Sequence, residues 1–221
     1  MRNVGFVIIS LLFLAVSYSN AQDCLDYSEF AQIEGSVDTP SYAFGVALAG
    51  NYAYVADYFS GLQIVDVSDP ATPLITGSVD TPGIAQGVAL SGNYAYVADF
   101  NSGLQIVDVS DPAAPVITGS VDTPGEAYGV AISGNYAYVA DYFSGLQIVD
   151  ISDPAAPVIT GSVDTPGEAY GVALAGNYAY VADYFSGLQI VDVSDPAAGV
   201  ITGSVDTPGA ARAGAGSGPS A

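Results

Sequence analysis

One unit of 42 residues is written four times, almost letter for letter, between Gly35 and Thr202. Copies open at Gly35, Gly77, Gly119 and Gly161, and a fifth opens at Gly203 but loses the pattern after Gly209. The third and fourth copies differ at only four places: Ile132/Leu174, Ser133/Ala175, Ile151/Val193 and Pro157/Gly199. A period of this length belongs to stacked modules, none of which buries its apolar faces alone. The repeat therefore constrains the architecture strongly and the ligand hardly at all.

The first copy divides into four apolar runs. Tyr42–Leu48 is followed by a Gly50-Asn51 hairpin signal, then by Tyr52–Ala56, whose two tyrosines share one face of the pleat. Asp57–Gly61 turns the chain into Leu62–Val67, rich in β-branched residues. Ser68–Pro73 cannot extend a ladder because its two prolines lack donors. Leu74–Val79 is the fourth run, and Asp80-Thr81-Pro82-Gly83 closes it with a Pro-Gly pair suited to a type II turn. Four antiparallel strands with three short connections make one blade. No segment shows a 3.6-residue apolar period, which excludes helical solenoids, and a parallel β-helix has no need of a hairpin in every repeat. The expected fold is all-β: a β-propeller or partial propeller of four-stranded antiparallel blades. Each blade-to-blade interface, burying on the order of 400 Å² of apolar surface, contributes roughly 10 kcal/mol before chain entropy is subtracted.

The string Leu62-Gln63-Ile64-Val65-Asp66, followed by Val67-Ser68-Asp69-Pro70, resembles the core motif of the LVIVD repeat family of extracellular β-propeller-like proteins. It recurs at Leu104–Pro112, at Leu146–Pro154 with Ile151, and at Leu188–Pro196. The resemblance implies a secreted or surface-attached repeat protein and brings no catalytic residues with it.

The chain divides accordingly. Residues 1–21 carry Arg2, the apolar run Val7–Val16 and a Ser19-Asn20-Ala21 cleavage signal, which together read as a secretory signal peptide. Residues 22–34 are a lead-in, and Phe30–Val37 looks like the fourth strand of a missing blade, an extra outer strand. The repeat array spans 35–208, with four blades and the start of a fifth repeat. Residues 209–221, nearly all Gly, Ala, Ser and Pro, are expected to be disordered. A four-blade ring, a truncated product and two half-rings pairing into eight blades all stay open, as does a homodimer through the end blades. The expected location is extracellular or on the cell surface, with the periplasm as an alternative and no membrane insertion after signal cleavage.

Charge narrows the partners. The sequence has 23 acidic residues, two arginines (Arg2 and Arg212) and no histidine, for a net charge of −21. Such a field repels phosphate backbones, so nucleic acid is excluded as a partner, whereas cations and basic proteins are attracted. Without His or Lys there is no triad base, Schiff-base lysine or zinc–histidine site. Paired carboxylates leave only glycosidase chemistry, and near-identical repeats give equivalent acids equivalent settings, which works against an acid–base pair. The chain is read as no enzyme.

Two residue sets are candidates for binding. Blade topology puts Tyr58, Phe59, Phe100, Tyr142, Phe143, Tyr184 and Phe185 on one rim with Glu126 and Glu168. The preferred reading is that these rings pack over neighbouring blades as loop anchors, and the alternative is an acidic, aromatic rim that stacks sugars or receives a cationic partner. Asp66 and Asp69, with Asp108/Asp111, Asp150/Asp153 and Asp192/Asp195, form oxygen-rich loops of a kind that binds calcium. Aspartate before proline also caps turn amides, and this structural role is the preferred one, so no cofactor is expected and calcium is the alternative. The leading expectation is a non-catalytic binding module for a protein or glycan surface. A structural spacer or self-assembling unit is the alternative.

Overall fold

The computed structural model describes residues 33–212, and the compact unit holding the repeats begins at Glu34. The segment read as a signal peptide and most of the lead-in lie outside the described residues, as does the tail from 213 onward. The first blade is a meander of β1 (Gly45–Ala49), β2 (Tyr52–Ala56), β3 (Leu62–Asp66) and β4 (Leu74–Val79), paired in that order. The second repeats it as β5 (Gly87–Ser91), β6 (Tyr94–Ala98), β7 (Leu104–Asp108) and β8 (Val116–Val121). The third holds β9 (Gly129–Ser133), β10 (Tyr136–Ala140), β11 (Leu146–Asp150) and β12 (Val158–Val163). The fourth holds β13 (Gly171–Ala175), β14 (Tyr178–Ala182), β15 (Leu188–Asp192) and β16 (Val200–Val205). All pairings are antiparallel, and β1, β5, β9 and β13 lie side by side as the inner wall of an arc. The all-β expectation and the strand count hold. The first strand starts at Gly45 rather than Tyr42, because Tyr42–Phe44 belong to the joint between blades.

Alternation along the strands gives each blade two different apolar faces. In the first blade Tyr54, Ala56, Leu62 and Ile64 point forward and pack against Ala95, Val97, Val107 and Val109 of the second. The second presents Tyr96, Ala98, Leu104 and Ile106 to Ala137, Val139, Val149 and Ile151 of the third. The third then meets the fourth with the equivalent set, Tyr138, Ala140, Leu146 and Ile148. A forward face of large side chains thus meets a backward face of small and β-branched ones, three times over. One extra residue on each outer strand, Thr76 opposite the step from Ile64 to Val65 in the first blade, makes a β-bulge that adds twist.

The Pro-Gly pairs do not form type II turns. Gly83, Gly125 and Gly167 lack the positive φ that such a turn demands at its third position. Glycine is required for a different reason: a Cβ on Gly83 would collide with the Asp99 carbonyl oxygen.

Candidate functional site

Each joint between blades is locked by a buried aspartate at the end of the second strand. Asp99 accepts 2.6 Å and 2.8 Å hydrogen bonds from the Thr81 hydroxyl and the Gly83 N–H. Asp141 does the same with Thr123 and Gly125, and Asp183 with Thr165 and Gly167. Burial pushes the carboxyls of Asp99 and Asp141 up from the ordinary range, against the hydrogen bonds that draw them down. These aspartates are fasteners that fix where the next inner strand begins.

The next residue along is aromatic and strained. Tyr58, Phe100, Tyr142 and Tyr184 have φ of 50°, 52°, 49° and 44°, a left-handed conformation that bulky residues rarely adopt. Two backbone hydrogen bonds offset the strain: Tyr58 N–H donates to Ala85 O at 3.1 Å, and Ala85 N–H returns one to Tyr58 O at 3.0 Å. Phe100 pairs in this way with Ala127, Tyr142 with Ala169, and Tyr184 with Ala211. Order therefore extends through Ala211 and Arg212, past the boundary at 208 drawn from composition. Ala211 is held because it completes the joint's backbone pairing, a contribution composition does not register.

The structure splits the rim residues expected from the sequence into two groups. Tyr58, Phe100, Tyr142 and Tyr184 are half-buried joint anchors, the loop-anchor reading. Phe59, Phe143 and Phe185 stand in solvent, 64%, 68% and 74% exposed, each against its neighbouring tyrosine at 4.0–4.3 Å between ring centres. The place of these phenylalanines is taken in the second blade by Asn101.

What these rings surround was not found from the sequence. Phe44, Gln86, Tyr128, Tyr170 and Arg212, each one residue before an inner strand or its equivalent, line a cleft of about 370 Å³ together with the openings of all four inner strands. Tyr128 and Tyr170 stand 4.7 Å apart, and Tyr142 lies 5.4 Å and 5.5 Å from them, so the third and fourth blades supply one continuous aromatic wall. The Arg212 guanidinium rests on that wall, 4.8 Å from the Tyr170 ring centre and 5.0 Å from that of Tyr184, in cation–π geometry. Burial, then the charge of Glu126, pushes the Tyr128 hydroxyl up to about 12, and burial with a hydrogen bond to Tyr170 does the same for Tyr142.

A signal for the cleft was present in the chain. Across the four copies only two positions take three identities: Tyr42/Ile84/Glu126/Glu168 and Phe44/Gln86/Tyr128/Tyr170. Internal variation in an otherwise duplicated unit marks side chains that the fold does not dictate, and the second of these positions lines the cleft.

The Asp-x-x-Asp loops lie elsewhere and are engaged with their own backbone. Asp66 accepts from Ser68 N–H at 2.8 Å, and Asp69 from Ala71 N–H at 3.0 Å and the Thr72 hydroxyl at 2.9 Å. The other three copies keep the amide bonds. Hydrogen bonds from the Ser68 hydroxyl and N–H hold Asp66 below the ordinary carboxylate range. Among the described residues no three acidic, Cys or His side chains converge as a metal cluster.

Comparison with solved structures gives the same architecture. The computationally designed protein Ika8 is similar at a TM-score of 0.62 and 8% identity over 77% of this chain. The chain spans 51% of that protein's length, about half. A second computationally designed protein, Ika4, is similar at a TM-score of 0.57 and 10% identity, over 72% of this chain and 96% of its own. At these identities the likeness is one of fold. No curated protein matches the sequence. The family pattern described as LVIVD repeat matches residues 40–81, 82–123, 124–165 and 166–207, consecutive and well over half the chain. By that match, and by four blades that each carry the motif on their third strand, the chain belongs to the LVIVD repeat family.

Proposed function

We propose that this chain is a secreted, non-catalytic binding module whose axial aromatic cleft receives cationic side chains of a protein partner. The observation that carries the reading is the placement of Arg212 between Tyr170 and Tyr184. The cleft already accommodates a guanidinium, and the array supplies no other positive side chain to fill the remaining wall. A net charge of −21 adds long-range attraction for a basic partner. The absence of His and Lys from the sequence supports the non-catalytic part, and the Arg2-led apolar segment with its Ser19-Asn20-Ala21 signal supports export.

The test separates rings from field. An arginine-rich peptide is titrated against the protein and its Tyr128→Ala/Tyr170→Ala variant, which carry the same net charge. The peptide is expected to bind the wild type at least tenfold more tightly at moderate salt, since ring–cation contacts contribute about 1 kcal/mol each. Equal affinity for both forms would leave only nonspecific charge attraction and remove the cleft from the reading. A glycan is the second reading, favoured by the exposed Phe59, Phe143 and Phe185. Saturable binding of neutral oligosaccharide, lost when those three become Ala, would decide for it.

A further inference from the structure

Among the described residues the arc ends on two surfaces that are copies of surfaces mated three times inside it, the first covered at its centre by Val37 over Ala53, Val55 and Val65 but open at its inner edge. On the first blade Val46 and Leu48 are 63% and 72% exposed, whereas their equivalents Val88 and Leu90 pack into the first internal interface. On the last blade Leu188 and Ile190 are only partly covered, and Tyr178 and Val205 are exposed, whereas Leu146, Ile148 and Val163 are buried in the third interface. The forward face of blade four is therefore chemically the partner of the backward face of blade one.

The lead-in explains how the two are kept apart. Gly35 lies against Pro70 O just as Gly77 lies against Pro112 O, and the Thr39 hydroxyl holds Asp57 at 2.6 Å as Thr81 holds Asp99. Residues 35–39 thus occupy the place of a preceding blade's outer strand without being in a ladder. Their counterparts at the far end are Gly203–Thr207. A Cβ on Gly203 meets only the Ile190 side chain, and the Thr207 hydroxyl donates to Gly209 O rather than to an aspartate.

We infer that two copies of this chain associate head to tail, blade four of each docking on blade one of the other, into a closed ring of eight blades. Docking exchanges one joint for an equivalent one: Gly203–Thr207 of the arriving copy replaces the unladdered 35–39 strap, and Thr207 takes Asp57. Because the inner strands of blades one and four border the same cleft, one second copy reaches both ends. Interfaces of this head-to-tail kind close when the rotation allows and otherwise grow as filaments. Docking also reaches the cleft, because Ala43 and Phe44 of the second copy take the places that Ala211 and Arg212 hold beside Tyr184, and Val46 lines the cleft wall.

Sedimentation equilibrium on the full chain tests it, at moderate salt to screen the repulsion between two strongly acidic copies. The expected mass is that of two chains. Val46→Glu/Leu48→Glu and, separately, Val205→Glu place charges at positions already exposed in the single chain, so each variant keeps its fold by circular dichroism and sediments as one chain. Thr207→Val weakens wild-type association about a hundredfold, roughly tenfold for the hydrogen bond to a charged group lost at each of the two joints. A single-chain mass at high concentration would overturn the inference, as would variants that dimerise undiminished or species that grow without limit.

Discussion

Gly119 and Gly203 occupy the same position of the repeat and have opposite surroundings. A Cβ on Gly119 would run into Pro154 O of the third blade, whereas one on Gly203 would touch nothing closer than the Ile190 side chain at 3.7 Å. The same contrast runs through the faces: Val163, inside the arc, is 7% exposed, and Val205, at its end, 55%. Identical sequence thus gives a core residue or a surface residue according to whether another blade follows. Stability in this architecture belongs to interfaces, as expected for modules whose contacts are with nearest neighbours.

The largest expected effect comes from the forward faces. On the undocked single chain, held so by Val46→Glu/Leu48→Glu, Leu146→Ala empties a fully buried site and should cost about 4 kcal/mol in urea unfolding, while Leu188→Ala, partly open already, should cost about half that. Equal costs would mean that the end face is as well covered as the inner ones. In the same single-chain background Gly119→Ala should cost about 3 kcal/mol because neighbouring backbones must separate, against less than about 0.5 kcal/mol for Gly203→Ala. A neutral Gly119→Ala would show that the blades slide freely past each other.

Asp141→Ala removes the acceptor for the Thr123 hydroxyl and Gly125 N–H and should cost roughly 2–3 kcal/mol. Asp153→Ala, at an exposed turn, should cost about 1 kcal/mol or less. Reversal of that order would make the Asp-x-x-Asp loops, not the buried aspartates, the fasteners of the array.

The smallest effects are in pH dependence. Tyr128 and Tyr142 are raised from 10.0 to about 12, so the stability they lend is whole below pH 10 and is lost as pH climbs from about 10 to about 12. Ultraviolet titration should show a late-ionising fraction that falls by two tyrosines in Tyr128→Phe/Tyr142→Phe, the rest belonging to Tyr54, Tyr96 and Tyr138, which burial also raises. At the acid end two sets oppose each other. Asp66, Asp108, Asp150 and Asp192 are held low by their serine hydrogen bonds and stabilise the fold above the ordinary 3.8, a contribution lost as pH falls through their lowered values. Asp99 and Asp141, raised by burial, favour the fold below 3.8 and lose that contribution as pH rises through their raised values. Replacing the first set by Asn should flatten the acid loss of stability, and an unchanged acid limb would show that their turns are equally firm when protonated.

Much of the architecture was legible in the chain because its signals are local. Gly50-Asn51 marks the first hairpin, Tyr52–Ala56 sets both tyrosines on one face, Leu62–Asp66 has the β-branched content of a strand, and Asp69-Pro70 breaks the ladder. The candidate site was only half legible. Tyr58 and Phe59 are adjacent and looked equivalent, yet a positive φ turns the first into the joint and leaves the second in water. Phe44, Tyr128 and Tyr170 read as strand residues, and Arg212 as tail, because what unites them is convergence on an axis that no single repeat contains.

The sequence by itself determined the blade: strand pairing, the two apolar faces and the Gly-Asn hairpin follow from alternation and chain stiffness within 42 residues, whereas the Pro-Gly link takes its form from the Asp99 backbone beside it. Only the tertiary structure decided which copies of those faces are covered, which aromatic rings become anchors, and where the variable side chains meet. The physical reason is that burial and convergence are properties of neighbours. Repeats that are nearly identical in sequence become different only through what stands beside them.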